Sequence, residues 1–282
     1  MLRKKLLVLL VVQLVVAGGL ALANHRTQPE PSPLLSFELA QANRLVIADP
    51  EETVVLKLQG QDWILPDFHK LPANSARVKT LLSDLSNLKT GWPVATTASA
   101  FPRFEVEQDK FQRRVEFYQG EKLLGRLYVG SSPSFRQAHV RVDGDQKTYS
   151  VSLNSYDLPT SGEAWFDPGL LAAKNPTVIE GGDYRLENSG GWKLAQGEVD
   201  SNKVGQLTAA LAHLRVTAPE QVTPADTKVL KVTAADGQHV YQLFESGDQT
   251  YILRNDYDLV FGLPKAAYDQ LTVDHTRLTQ QK

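Results

Sequence analysis

The sequence predicts an α+β chain of two duplicated units, each a hairpin-rich antiparallel sheet with one packed helix, behind an N-terminal transmembrane helix. Three observations carry this. Apolar residues at Val78, Leu81, Leu85 and Leu88 recur at Val204, Leu207, Leu211 and Leu214, a constant offset of 126. Tryptophans at 63 and 192, 129 apart, precede the two stripes. Gly-containing dipeptides separate short period-two segments on both sides of each stripe, as hairpins require.

At the N-terminus, Leu6 to Leu22 form a 17-residue apolar run broken only by Gln13, with Arg3, Lys4 and Lys5 before it. The positive flank keeps the N-terminus cytoplasmic and exports the rest. Two readings stay open. An uncleaved anchor would place Leu6, Leu10, Val16 and Leu22 in the bilayer, at the short end of the spanning range. A cleaved signal peptide would use the small-x-small pattern Ala21-Leu22-Ala23 and leave a soluble periplasmic protein. Residues 1–23 are thus the anchor or signal and 24–35 a linker. Its stretch NHRTQPEPSP holds three prolines in ten residues, a stiff spacer of use to a body that remains attached.

The first unit is expected over 36–166. Arg44–Ala48 and Thr53–Leu58 read as strands, and Val54, Leu56 and Leu58 alternate with polar or exposed positions. The Trp63 segment follows, then NSARVKTLLSDLSNLKT, a helix with Asn74 or Ser75 at its N-cap and Lys89 at its end. The loop GWPVATTASAFP comes next, long, uncharged and aperiodic, with Trp92 and Phe101 as anchors pinning it to the body. Strands at Arg114–Tyr118, Leu124–Val129, His139–Val142 and Thr148–Val151 complete the sheet. A connector is expected at 167–176, DPGLLAAKNP, and the second unit at 177–282. There, strands at Thr177–Glu180, Tyr184–Leu186 and Trp192 precede a helix capped by Asp200 or Ser201 and ending on Arg215. Strands at Val229–Thr233, Val240–Phe244, Thr250–Arg254 and Asp258–Phe261 follow. LNSYDL at 153–158 and LPKAAYDQL at 263–271 close the units similarly.

Composition excludes several functions. The 282 residues contain no cysteine, so thiol catalysis, iron–sulfur ligation, disulfides and a lipoprotein anchor are out. Without Arg3, Lys4 and Lys5, 27 basic residues face 32 acidic ones, a net −5 that gives no case for nucleic acid. No two of the six histidines have metal-ligand spacing and no HExxH occurs. His213 reads as helix surface, and His139 and His239 as exposed strand starts. No GxSxG is present; Gly130-Ser131-Ser132-Pro133-Ser134 reads as a loop rather than a nucleophile elbow. Asp143-Gly144-Asp145 and Asp256-Tyr257-Asp258 lack the donors of a calcium loop and read as hairpin turns. Glu163, Asp167 and Glu180 lie near the join but form no evident catalytic pair. No catalytic, cofactor or metal residue is assigned, and no cofactor is expected. Trp92, Phe101, Trp165 and Phe166 are the candidate partner or interdomain contacts, Trp165-Phe166 with the alternative of packing the two units together.

The tryptophan strand, the NSARVKTLLSDLSNLKT helix, RFEV, YSVSLNSYDL and AWFDPGLL together cover nearly the whole chain after the linker. They resemble a family of exported, membrane-anchored domains of unknown function, often encoded beside ABC transporters of the gliding-motility type. The resemblance implies an anchor, a duplicated periplasmic α+β body and an ABC transporter permease or other envelope protein as partner. The expectation is a non-enzymatic accessory or scaffold at the bacterial inner membrane. The alternative is a binding module for an envelope polymer or small ligand in an interdomain groove, and an envelope hydrolase is a third class without a visible site.

Overall fold

In the computed structural model, residues 10–19 and 31–279 are described, and the chain forms two compact units, one running through Phe166 and one from Asp167. Residues 10–19 are helical (α1), with Leu10 and Val16 exposed, while Leu6 and Leu22 lie outside the described residues. Among the described residues, no helix is long and apolar enough to cross a membrane.

The first unit is one antiparallel sheet of nine strands with a helix on one face. Its strands are β1 (Arg44–Ala48), β2 (Thr53–Gln59), β3 (Asp62–Leu65), β4 (Leu71–Pro72), β5 (Pro93–Ala95), β6 (Arg113–Gln119), β7 (Lys122–Val129), β8 (Ala138–Val142) and β9 (Thr148–Val151). They lie in the order β4-β3-β2-β1-β6-β7-β8-β9-β5. Period-two alternation sets the faces: Leu45, Ile47, Val54, Leu56, Val115, Phe117, Leu127 and Val129 are all buried. The register holds them together, pairing Leu45 with both Leu56 and Phe117, and Val115 with Leu127. Helix α2 (Ser75–Ser86) turns Val78, Leu81 and Leu85 inward and packs beside β3. The loop after α2 is not wholly irregular. β5 pairs with β9, Ala98–Ala100 is a 3₁₀ turn and Phe101–Phe104 a one-turn helix, α3.

In the second unit the strands are β10 (Val178–Glu180), β11 (Arg185–Asn188), β12 (Trp192–Leu194), β13 (Pro219–Glu220), β14 (Lys228–Ala234), β15 (Gly237–Ser246), β16 (Gln249–Arg254) and β17 (Val260–Leu263). Their order is β12-β11-β10-β14-β15-β16-β17-β13. Helix α4 (Ser201–Ala212) buries Val204, Leu207 and Leu211, and Asp200 Oδ1 accepts from the Asn202 and Lys203 amides. Two further helices, α5 (Lys265–Leu271) and α6 (His275–Leu278), both contact α4. Residues 167–176 are held within this unit: the Ala173 amide donates to Leu211 O, and the Tyr241 hydroxyl to Leu171 O at 2.8 Å.

The helix ends differ from expectation. α2 stops at Ser86 and α4 at Ala212, and neither has a basic residue in its last turn. Lys89 and Arg215 lie beyond the helices, so the dipole argument does not apply to them. Leu88 and Leu214 are nonetheless buried. The apolar repeat records burial, which continues after the helical hydrogen bonds have ended.

Candidate functional site

Beside α2 the first unit carries a groove of about 1000 Å³. One wall is the helix face carrying Arg77, Thr80, Leu81 and Asp84; the other is the end of β9 and the residues after it, Ser150 to Asn154. Its apolar floor comes from Leu81, Leu88, Val151 and Leu153, all buried. The wall charges are mixed: Arg77, Lys89 and Arg136 against Asp84 and Asp157.

Both ends of α2 are fixed by bonds the sequence places there. At the N-terminus, Asn74 Oδ1 accepts from the Arg77 amide at 3.1 Å, and the Asn74 amide donates to Trp165 O. Arg77 Nη1 donates to Ala164 O, and its guanidinium lies 4.8 Å from the Trp165 ring. The Trp165 indole N–H donates to Pro159 O at 2.8 Å. At the other end, the Leu34 amide donates to Leu88 O and the Thr90 amide to Ser32 O. The chain leaving the proline-rich linker therefore runs along the mouth of the groove.

The four aromatic candidates separate. Trp165 is wholly buried and Phe166 nearly so, the latter 6.2 Å from Phe68 and bridged to Ala73, all within the first unit. Phe101 packs on the cluster of Phe104, Val106, Phe111 and Tyr128 and does pin its loop. Trp92 does not: it is 58% exposed. Trp92, Phe135 and Tyr156 stand beside the groove, each adjacent in sequence to a residue that lines it.

The polar clusters elsewhere are engaged in hydrogen bonds and ion pairs within the fold, although the buried Arg114 Nε, His239 Nε2 and Arg254 Nη1 lack a hydrogen-bond partner. On the outer face of the first sheet, Glu116 accepts from the Tyr118 hydroxyl at 2.6 Å and Arg126 Nε at 2.8 Å, with Arg114 Nε at 3.1 Å. Burial alone would push this carboxyl up, but those hydrogen bonds and the Arg126 and Arg114 charges outweigh it and hold it below its ordinary 4.5. A lowered carboxyl contributes stability that is present above the unfolded value and lost as pH falls through the folded one. Glu116→Gln is therefore expected to cost roughly 2 kcal/mol at neutral pH. The difference from the parent should shrink below about pH 4.5, as thermal melts across pH would read. A constant difference down to acid unfolding would contradict the assignment.

Two buried arginines escaped the sequence reading. Arg141 lies 4.4 Å from both the Phe101 and Tyr128 rings and donates to Val106 O. Arg254 makes two 2.6 Å bonds to Asp256 and pairs across strands with Tyr241, as Arg141 does with Tyr128. The visible signal was a Tyr, Arg, Asp set at 128, 141 and 143, repeated at 241, 254 and 256. Asp143 bonds Arg126, so both aspartate turns serve arginines. Ser131 Oγ lies 3.1 Å from His139 Nδ1 and 3.3 Å from Phe104 O, which it serves as donor, tying a loop down. Burial and the Arg103 charge push the His139 imidazole down, against the Ser131 backbone. His239 is buried, contrary to expectation, because it shares the inward face of β15 with Tyr241 and Leu243; its Nε2 lies 3.1 Å from Asp236. His213 is exposed at the end of α4. Glu180 pairs with Arg185, and Asp167 caps the Gly169 amide. Among the described residues, no group of three or more His, Asp or Glu side chains could hold a metal ion.

A family model described as a domain of unknown function (DUF4340) matches residues 63–217, from β3 of the first unit to just past α4 of the second. No curated protein and no solved structure matches the chain.

Proposed function

The chain belongs to the DUF4340 family, and on that premise we propose that it is a non-enzymatic scaffold built from two versions of one α+β unit, with the groove beside α2 as its contact surface. The strand orders support the duplication. Set β3 against β12, β2 against β11, β1 against β10, β6 to β9 against β14 to β17, and β5 against β13, and every neighbour corresponds; β4 alone has no counterpart. The Tyr128–Arg141 and Tyr241–Arg254 cross-strand pairs fall at equivalent places.

The observation that carries the contact surface is a difference between the units. Beside α4 the chain supplies α5 and α6; beside α2, among the described residues, the groove is open and flanked by exposed Trp92, Phe135 and Tyr156. Exposed aromatics over a polar-walled groove are the composition of a recognition surface. The body would be held at the outer face of the inner membrane by the apolar run 6–22, with the proline-rich segment as spacer. The positive flank and the entry of residues 32–34 at the mouth of the groove support that arrangement. A membrane protein such as a transporter permease is then the nearest class of partner, the class that the family resemblance of the sequence suggests.

Photo-crosslinking in intact cells tests this. A benzophenone side chain placed at Thr80 is expected to capture one membrane protein, and the same group at exposed Lys193 of the second unit is not. Equal capture at both positions would count against the groove. Thermal stabilisation by envelope glycans without any Thr80 crosslink would favour a polymer-binding module. A mature N-terminus at Asn24 in the soluble fraction would remove the anchor.

A further inference from the structure

The helix faces beside the two grooves correspond residue for residue. Arg77, Thr80 and Leu81 line the groove of the first unit; Lys203, Gln206 and Leu207, each 126 residues later, line a cleft of only about 160 Å³ in the second. The second cleft is small because Asp269 and Gln270 of α5, then Val273 and Arg277, form its other wall. The two units diverge just after their last long strand. The segment LPKAAYDQL, whose Leu263 is the last residue of β17, closes as helix α5 with Tyr268 and Leu271 buried. After β9 and Ser152, the segment LNSYDL forms only the 3₁₀ turn Ser155–Asp157. Leu158 still reaches the core, but Tyr156 is 82% exposed where Tyr268 is 4%. Among the described residues, no helix lies over the face of α2 that corresponds to the α4 face covered by α5.

We propose that the groove beside α2 takes a short amphipathic α-helix of a partner protein, seated as α5 is seated beside α4. This rests on the reading above that the units are two versions of one architecture. The occupant inserts an aromatic and a leucine three residues apart over Leu81 and Leu88, the spacing of Tyr268 and Leu271. It carries an acidic residue next to the aromatic, as α5 carries Asp269 opposite Lys203, and that acid meets Arg77. Two turns suffice, because α5 itself is seven residues, roughly 10 Å long.

The probe is a peptide of residues 263–272, LPKAAYDQLT, labelled with fluorescein and held helical by a hydrocarbon staple joining positions 266 and 270. Titration with the full chain, read by anisotropy, is expected to give saturable binding. Thr80→Trp, which fills the groove from an exposed position, should weaken it by about tenfold or more. Gln206→Trp, at the equivalent position beside α4, should leave it unchanged. A peptide with both Tyr268→Ala and Leu271→Ala should not bind. Circular dichroism melts of the two protein variants establish that both remain folded. Absence of saturation up to about 1 mM, or equal affinity for Thr80→Trp and the parent, would overturn the proposal. If the peptide fails while the Thr80 benzophenone still captures a membrane protein, the groove remains the contact surface and the helical occupant is wrong. If both fail, the scaffold reading falls with it.

Discussion

Leu81→Asp is expected to unfold the first unit and leave the second resistant to protease. Leu81 sits mid-stripe on α2 at 4% exposure, between Val78 and Leu85, which are fully buried. A carboxylate there has no partner in the apolar layer, and an uncompensated buried charge costs about 3–5 kcal/mol. A domain has only about 5–15 kcal/mol in hand. Leu207→Asp, at 1% exposure on α4, should do the reverse. Limited proteolysis with mass mapping reads both. Cleavage concentrated before residue 166 in the first variant and after 167 in the second is expected. Cleavage spread evenly through both halves in either variant would show one cooperative core instead of two.

Gly130→Ala is expected to lower the melting temperature of the first unit by several degrees, although the new group is one methyl. A Cβ at residue 130 would stand 2.7 Å from Glu105 O and closer still to Phe104 O. Both are main-chain atoms, and neither is free to retreat. The Ser131 amide donates to Phe104 O at 3.0 Å and the Gly130 amide to His139 O at 2.8 Å, so the two segments are tied on both sides of the clash. Glu105 already adopts a left-handed backbone, at φ 57°. The expected cost is at the upper end of the roughly 1–3 kcal/mol that overpacking incurs. Gly205→Ala is the control: this glycine lies inside α4 with nothing within 4 Å of a new Cβ. Helix propensity predicts a gain of about 1 kcal/mol there. A destabilised Gly205→Ala or a neutral Gly130→Ala, measured by thermal melts, would contradict the local geometry.

The long strands and both main helices were legible because their burial has a short period. Val54 and Leu56 repeat at two; Val78, Leu81 and Leu85 repeat at three and four. Asn74 and Asp200 mark the helix starts through side-chain chemistry that acts within three residues. Apart from β12 at Trp192, the edge strands were not legible. β4, β5 and β13 are two or three residues long and each contains a proline, at 72, 93 and 219. Proline lacks the N–H of a central strand, so only its tertiary position on a sheet edge makes such a segment a strand.

His239 was misplaced by reading it as a strand start rather than by its phase with Tyr241 and Leu243. The buried arginines were not legible because charged side chains are almost never fully buried unless paired. Only the repeated Tyr, Arg, Asp spacing pointed to aromatic cover and a paired acid. The groove itself left no trace: Tyr156-Asp157-Leu158 and Tyr268-Asp269-Gln270-Leu271 look alike in sequence, yet one forms a 3₁₀ turn and the other a helix.

Hydrogen–deuterium exchange of the full chain, with and without the stapled 263–272 peptide, is the most direct test of the account. Its central claim is that the first unit leaves open the helix face that α5 covers in the second. Protection is predicted on 77–91 and 150–157, the two walls of the groove, with exchange across 201–212 unchanged. Protection confined to the second unit, or exchange unaltered throughout at peptide concentrations that saturate anisotropy, would contradict it.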